Sequence, residues 1–592
     1  MQIAALFVTL PAMKRWPALL LLGSLELGCA ASEPEAREAV QTQSASAAAS
    51  GAASATPQPE RRLSIVGTND LHGRVLALPL LAGYVANLRA ARKADGGAVL
   101  LLDGGDMYQG TLESNLLEGR PVRDAYASLG YAAVTVGNHE FDFGPAGPAA
   151  TPQSATDDRR GALLALAKEA PFPFLSSNIL DRASGARVDW PNIKPRVLIE
   201  AAGHKIALIG VSTAETLTTT IAPNVDDLAM KPLLAAVTEQ AALARKEGAE
   251  VVVVLAHAGG KCKRFTGDSV TDECEQDAEI FELARGLPPG TVHAIVAGHS
   301  HAGVAHEVNG IPIIEQFAYG SAFGRIDLKL ANGSVKLEKI FAPQELCPGA
   351  KQPDFDTCET PAYEGAPVVR DRALRALLQP AIDASKARRE EEVGPTLTTE
   401  IKRAYDEESA LGNLFADLML AGVPGADVAF MNGGGLRAHL PQGKLRYGAL
   451  FESFPFDNRI ATVTLTVAEL KRVLQANLNK SGGILSIAGL EASAVCKQGT
   501  LALELRRPGK KPPLSDETTL TVVGSDFLFL GGDGFWGDVR DKQASVKPEL
   551  MRDVMEAQLK LRKTVDAAKL FDPKKPRLRL PSARPIVCQK SK

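Results

Sequence analysis

Short apolar runs bounded by glycine recur through the first half of the chain, and each ends in a group able to bind a metal ion. LSIVGTN leads into Asp70 and His72, AVLLLDGG into Asp106, and AVTVG into Asn138 and His139. VVVVLA leads into His257, and AIVAG into His299 and His301. Runs of Val, Ile and Leu of this length read as buried strands. A parallel sheet gathers the C-terminal ends of its strands along one edge, where α/β proteins bind ligands. The five runs are therefore expected to bring carboxylate, imidazole and amide groups to one place.

The stretches between the runs set the fold class. IALIGVST (residues 206–213) and VVVVLAHA predict strands, and Pro232 to Glu247 predicts the helix between them. Such alternation over residues 61–345 predicts an α/β layered domain. Thr151 to Arg160 is polar and reads as an excursion loop. Residues 346–392 read as an inter-domain connection, rich in Pro, Cys and Gly at its start, with a helix over Ala373 to Val393. A second domain over 393–592 has a helix around LGNLFADLMLAG, a strand around DVAFMN, a turn at Gly433 to Gly435, and strands around ATVTLTV and TLTVVGS. Two domains are also what 592 residues require, since that length exceeds a single hydrophobic core. With 45% hydrophobic and 23% charged residues the chain is ordinary for a soluble globular protein. A net charge of −3 without a basic stripe gives no reason to expect a nucleic-acid polymer as partner.

The N-terminus reads as a targeting segment. Lys14 and Arg15 precede PALLLLGSL, and LGC ends at Cys29, the layout of a bacterial signal peptide over residues 1–29. Met13 opens MKRWPALLLL, a more usual start than Met1. Gly28-Cys29 resembles a lipobox, with Glu26 where an apolar residue is usual. The expectation is an exported lipoprotein anchored at Cys29, facing the periplasm or cell surface; cleavage near Ala30–Ala31 would instead give a soluble secreted or periplasmic protein. Residues 30–60, rich in Ala, Ser, Gln and Pro, read as a flexible tether. Six cysteines remain, and an even number in an exported chain suggests three disulfides. Short loops favour Cys262–Cys274 and Cys347–Cys358, leaving Cys496–Cys588, among about 15 connectivities. No C-x-x-C spacing supports a cysteine zinc site.

The chemistry follows from the residue types. Asp70 and His72, two apart in a strand-like stretch, would face one side. Asp106 lies in a glycine turn where the backbone can approach ions closely, and a carboxylate there can bridge two cations. GNHEFDFG supplies Asn138, His139 and Asp142. Mixed nitrogen and oxygen ligation suits two divalent ions such as zinc, manganese or iron. One histidine after a strand is more often a surface or core residue; of nine in the chain, five follow apolar runs, which coincidence explains poorly.

NDLHG, GGDMYQG, GNHEFD, His257 and GHSH, in this order, resemble the calcineurin-like metallophosphoesterase domain. LGNLFAD, MNGGGLR, FPFDN and GGDGF resemble the C-terminal domain of the secreted 5′-nucleotidase / UDP-sugar hydrolase family. The resemblance implies a four-layer β-sandwich flanked by helices plus a second α/β substrate-binding domain. It implies one metal on Asp70, His72 and His301, another on Asn138, His257 and His299, and Asp106 bridging them. A hydroxide held between the ions would attack phosphorus in line with the leaving oxygen. His139, oriented by Asp142, would assist that oxygen. Asn432 and Arg437 fall in the substrate site, Phe456 and Phe527 sandwich the nucleobase, and Asn458 and Asp533 lie near the nucleoside. Arg74, two residues past His72, could reach a phosphate oxygen. One departure stands out: an Arg usual just ahead of the LGNL segment is replaced here by Tyr405, Asp406 and Glu407, with Arg403 displaced.

The function expected is removal of phosphate from nucleotides outside the cytoplasm, with a domain rotation between open and closed forms. Alternatives on the same fold are a UDP-sugar hydrolase, a 2′,3′-cyclic-nucleotide phosphodiesterase or a thiosulfohydrolase. A non-catalytic surface-binding lipoprotein would be expected to have lost a ligand or the His–Asp pair, and neither is lost.

Overall fold

The computed structural model describes residues 60–147, 149–265, 273–331, 334–350, 354–540 and 542–589. The signal peptide, Cys29 and nearly all of the tether expected from the sequence lie outside the described residues.

The apolar runs become strands, but they divide between two sheets. Arg61–Thr68, Ala98–Asp103 and Ala133–Thr135 pair in parallel within a seven-stranded sheet. His204–Ser212, Val251–His257, Ala294–Ala297 and Ile311–Gln316 pair in parallel within a six-stranded one. The common edge expected for these groups is thus the shared rim of two sheets packed face to face, the β-sandwich that the resemblance implies. Leu63, Ile65, Leu100 and Leu102 from the first sheet pack with Leu208, Val253, Leu255 and Val296 from the second. The outer faces carry helices. Leu101 and Val134 meet the helices Leu78–Ala94 and Arg120–Leu129. Val252, Val254 and Ala256 meet Leu233–Lys246 and Glu279–Gly286. Four layers result, and they explain why Val251 to Ala256 is apolar at every position: both faces of the strand are covered. Leu255→Ala, which deletes a wholly buried side chain between the sheets, should cost about 2–5 kcal/mol, read as a lower unfolding midpoint.

The second half repeats this logic around a five-stranded sheet. Its order is Leu485–Ala488, Val428–Asn432, Thr519–Ser525, Arg459–Thr466, Ser545–Leu550. Ala429 and Met431 face the helices Ala410–Gly422 and Met551–Lys560, while Val428 and Phe430 face Val467–Leu478. Ser409 caps the first of these helices, and Thr466 with Glu469 forms a capping box at the third. The connecting helix runs Arg372–Glu390, capped by Asp371. It ends three residues before the expected Val393, where Glu392–Leu397 starts a strand. Thr151 to Arg160 contains no helix or strand, as its polarity suggests.

All three favoured disulfides are present: Cys262–Cys274, Cys347–Cys358 and Cys496–Cys588. The last ties the C-terminal tail to the strand Glu491–Lys497. The two halves pack as one compact unit. A chain of alternating charges joins them: Arg74 to Glu452, Glu452 to Arg389, and Arg389 to Glu113. Gln109 Nε2 also donates to the carbonyl of Pro455 at 2.9 Å. Among the described residues, no helix is long and apolar enough to cross a membrane.

Candidate metal centre

The loops leaving the strands of both sheets converge at the shared rim, and their backbones are unusual. Asp70, His72, Asp106, His299 and His301 all have positive φ, between 49° and 83°. Non-glycine residues adopt this left-handed region at a cost, and such outliers cluster at functional sites. The sequence expectation of Asp70 and His72 lying in one strand is therefore corrected. The strand stops at Thr68, and both residues turn inward from left-handed positions. The glycines of the same loops admit no side chain. A Cβ on Gly105 would lie 2.7 Å from His257 Nδ1, and one on Gly137 would lie 2.3 Å from Asp106 Oδ1.

Two adjoining groups of donors result. In the first, Asp70 Oδ1 is buried without a hydrogen bond and lies 3.1 Å from His301 Nε2 and 3.8 Å from His72 Nε2. The two Nε2 atoms are themselves 3.0 Å apart. The other oxygen, Oδ2, is held by Asn69 Nδ2 at 2.7 Å and by the main-chain N–H of His299 at 2.9 Å. In the second group, His257 Nε2 lies 3.1 Å from Asp106 Oδ2 and 3.0 Å from Asn138 Oδ1, and His299 Nδ1 lies 3.1 Å from the same Asn138 oxygen. Asp70, His72 and His301 offer ligand atoms within 4.8 Å of one another; so do Asp106, His257 and His299, and Asp106 also groups with His72 and His139.

These side chains fit divalent cations. Unpaired lone pairs buried face to face are costly unless a positive charge lies between them. The electrostatics agree. Burial lowers the proton affinity of His257, yet the Asp106 carboxylate overrides it and lifts the imidazole to about 10. The lone pair that holds this proton is the one a cation would take. The mixed carboxylate, imidazole and amide set suits a borderline transition metal.

His139 stands beside these groups. Its Nδ1 is 2.5 Å from Asp142 Oδ2, and Thr220 Oγ1 donates to Asp142 Oδ1 at 2.7 Å. Its Nε2 points to the centre, 4.0 Å from Asp106 Oδ2. Burial opposes its protonation, but the Asp142 and Asp106 charges outweigh that and raise its pKa above the usual value.

Residues of the second half cover the centre. Arg437 Nη2 donates to His72 Nε2 at 3.2 Å, and the Phe456 ring stacks on His139 with centroids 5.6 Å apart. The Arg437 guanidinium also lies over Phe456, 5.6 Å from its centroid. Asn432 Nδ2 donates to Asp533 Oδ2 at 2.8 Å, and Asp533 sits at positive φ in the loop after Phe527. Phe527 is buried in the C-terminal core beneath Gly532; among the described residues it makes no ring contact with Phe456. Asn458 is buried at the start of Arg459–Thr466, where its carbonyl accepts from Met551 N. Arg74, expected to face a phosphate, is paired with Glu452 at 3.0 Å. Arg403 donates to the carbonyl of Leu436 at 3.0 Å, beside Arg437, while Tyr405 is half exposed.

Three carboxylates that sequence reasoning missed hold the loops in place. Glu140 accepts the N–H groups of Gly137, Asp106 and Met107 at 2.6, 2.9 and 2.7 Å, locking two ligand loops together. Glu315 accepts from Gly260 N, Ser300 N and Ser300 Oγ, which braces the segment carrying His299 and His301. Glu215 meets His299 Nε2. Only Glu140 had a signal, its place inside GNHEFD.

Comparison with known proteins agrees with this architecture. Residues 63–303 match the family of calcineurin-like phosphoesterases, and residues 389–538 match the 5′-nucleotidase C-terminal domain. Protein UshA of Yersinia enterocolitica is 27% identical over 504 residues, covering 80% of this chain and 86% of that protein. A 5′-nucleotidase of Vibrio cholerae is 26% identical over 536 residues, covering 84% and 90%. Among solved structures, a 5′-nucleotidase precursor from Thermus thermophilus has a TM-score of 0.68 at 22% identity, covering 88% of this chain and 99% of that one. The sulfate thiohydrolase SoxB of the same genus shares the fold, with a TM-score of 0.64 at 16% identity, covering 90% and 99%. The chain belongs to the family that joins a calcineurin-like phosphoesterase domain to a 5′-nucleotidase C-terminal domain, a family of metal-dependent phosphomonoester hydrolases.

Proposed function

We propose that the chain is an exported 5′-nucleotidase with a dinuclear metal centre. The observation that carries this reading is the pair of facing donor sets, with buried Asp70 Oδ1 lacking any hydrogen-bond partner and Asp106 placed between the sets. Asp70, His72 and His301 would hold one ion, Asn138, His257 and His299 the other, and Asp106 would join them. When bound, the two ions supply a water deprotonated near neutral pH and positive charge against the phosphate oxygens.

The chain's own residues do the rest. His139, kept protonated by Asp142, stands where it can donate from Nε2 to the leaving oxygen. His72 Nε2 can serve either Arg437 or a cation, so an ion at His72 frees the guanidinium to meet a phosphate oxygen. Phe456, beside both His139 and Arg437, offers a face on which a base can stack. Phe527, Asn432, Asn458 and Asp533 would complete the nucleoside site. Arg74 would act on the phosphate only by leaving Glu452, which ties substrate binding to the contact between the halves. The three disulfides suit an oxidising compartment, in keeping with the export signal and the lipid anchor expected at Cys29.

A panel assay of released phosphate tests the reading. AMP should be hydrolysed, and a chelator should abolish turnover until a divalent ion is restored. A protein that hydrolyses UDP-glucose, a cyclic nucleotide or a sulfur ester but leaves AMP intact would not be a 5′-nucleotidase. Phe456→Ala should raise KM for AMP roughly 10-fold, from the 1–3 kcal/mol of a stacked base. Turnover of p-nitrophenyl phosphate, whose leaving group is not a nucleoside, should change about twofold at most.

A further inference from the structure

Three imidazoles of the centre have their second nitrogen held, but not all by the same kind of group. His72 Nδ1 and His257 Nδ1 each meet a main-chain carbonyl, Gln109 at 2.9 Å and Gly104 at 2.8 Å. His299 is turned the other way round. Its Nδ1 faces Asn138 Oδ1 at 3.1 Å, and its Nε2 lies 3.0 Å from Glu215 Oε2. A carboxylate behind a ligating histidine fixes the tautomer, aims the ring and strengthens the ligand.

The loop that carries Glu215 is itself fastened to the same half of the centre. Thr213 N donates to the carbonyl of His257 at 2.8 Å, and Glu215 N donates to Thr213 Oγ1 at 3.1 Å. Among the described residues, Asp70, His72 and His301 make no hydrogen bond to this loop. The side chain of Glu215 is 68% exposed, so it contributes little to the core.

We infer that Glu215 is a positioning residue for one ion of the pair: by accepting from His299 Nε2–H, it leaves the Nδ1 lone pair directed at the site shared with Asn138 and His257. The inference rests on the two-ion reading above. It makes the two halves of the centre unequal, because only one depends on a surface carboxylate.

The test is calorimetric titration of the metal-free full-length protein with Mn(II), alongside thermal melting of the metal-free form. Wild type should bind two ions. Glu215→Ala should weaken one of the two sites about 10–100-fold and leave the other within about twofold. Glu215→Gln should recover most of the loss, because an amide oxygen accepts the same hydrogen bond. Metal-free melting should be unchanged in both variants. Two unaltered sites in Glu215→Ala, or an equal loss at both, would overturn the assignment. Fewer than two ions on the wild type would overturn the two-ion reading itself, and this inference with it.

Discussion

Asp106→Asn is expected to lower kcat by about 10³-fold or more and to leave the purified protein with fewer than two bound ions. Asp106 lies between the two donor sets. Its Oδ2 faces His257 and its Oδ1 accepts the main-chain N–H of His139 at 2.8 Å. An amide of the same size keeps the packing but removes the negative charge that two cations would share. A loss of 10³-fold corresponds to about 4 kcal/mol of transition-state stabilisation, within what a metal clamp supplies. The stability effect should have the same sign. Without metal, Asp106 is buried opposite His257 at 3.1 Å and its charge is favoured by the imidazoles around it, so the metal-free variant, which leaves those imidazoles without their counter-charge, should melt lower than metal-free wild type. Metal analysis, turnover and melting on the same preparations separate these effects. Wild-type turnover and two retained ions would contradict the role given to Asp106.

The second large effect concerns the proton. His139→Ala should lower kcat by about 10²–10⁴-fold while both ions remain bound, because removing a general acid costs rate without removing a ligand. The pH dependence carries the finer test. The active form of His139 is protonated. In the metal-free protein burial lowers its pKa, but Asp142 and Asp106 raise it beyond that, to a value above the usual one. With the Asp106 charge shared by cations, the Asp142 contact is what favours the protonated form, which is lost as pH rises through the pKa that this contact sustains. Asp142→Asn removes one raising charge, so the alkaline limb of the kcat profile should move to lower pH. A limb that stays in place while kcat falls would mean that Asp142 only supports the loop.

Much of this was legible in the sequence, for a physical reason. Strands covered on both faces must be apolar at every position, so Val251 to Ala256 and Ala98 to Leu102 declare themselves as uninterrupted runs. Groups that act at a sheet's rim must follow such runs directly, so His257 and Asp106 were found by position alone. Which strands share a sheet was not legible, because short buried strands carry no mark of their partners. The five runs therefore divide between two sheets, the sandwich that the family resemblance implied but the runs themselves did not reveal. Nor does a residue type declare a left-handed backbone. Asp70 and His72 read as neighbours on a strand face, although each turns inward at a φ of 49°. Contacts between distant segments were the least visible. Nothing near Arg74 in the chain points to Glu452, and nothing near Glu215 or Glu315 points to the histidines they steady.

The most direct measurement is anomalous diffraction from crystals grown with Mn(II), recorded on either side of the manganese edge. Two peaks about 3.5–4 Å apart are expected. One should lie among Asp70, His72 and His301, the other among Asn138, His257 and His299, with Asp106 touching both. A single peak, or ions held by other side chains, would contradict the dinuclear centre.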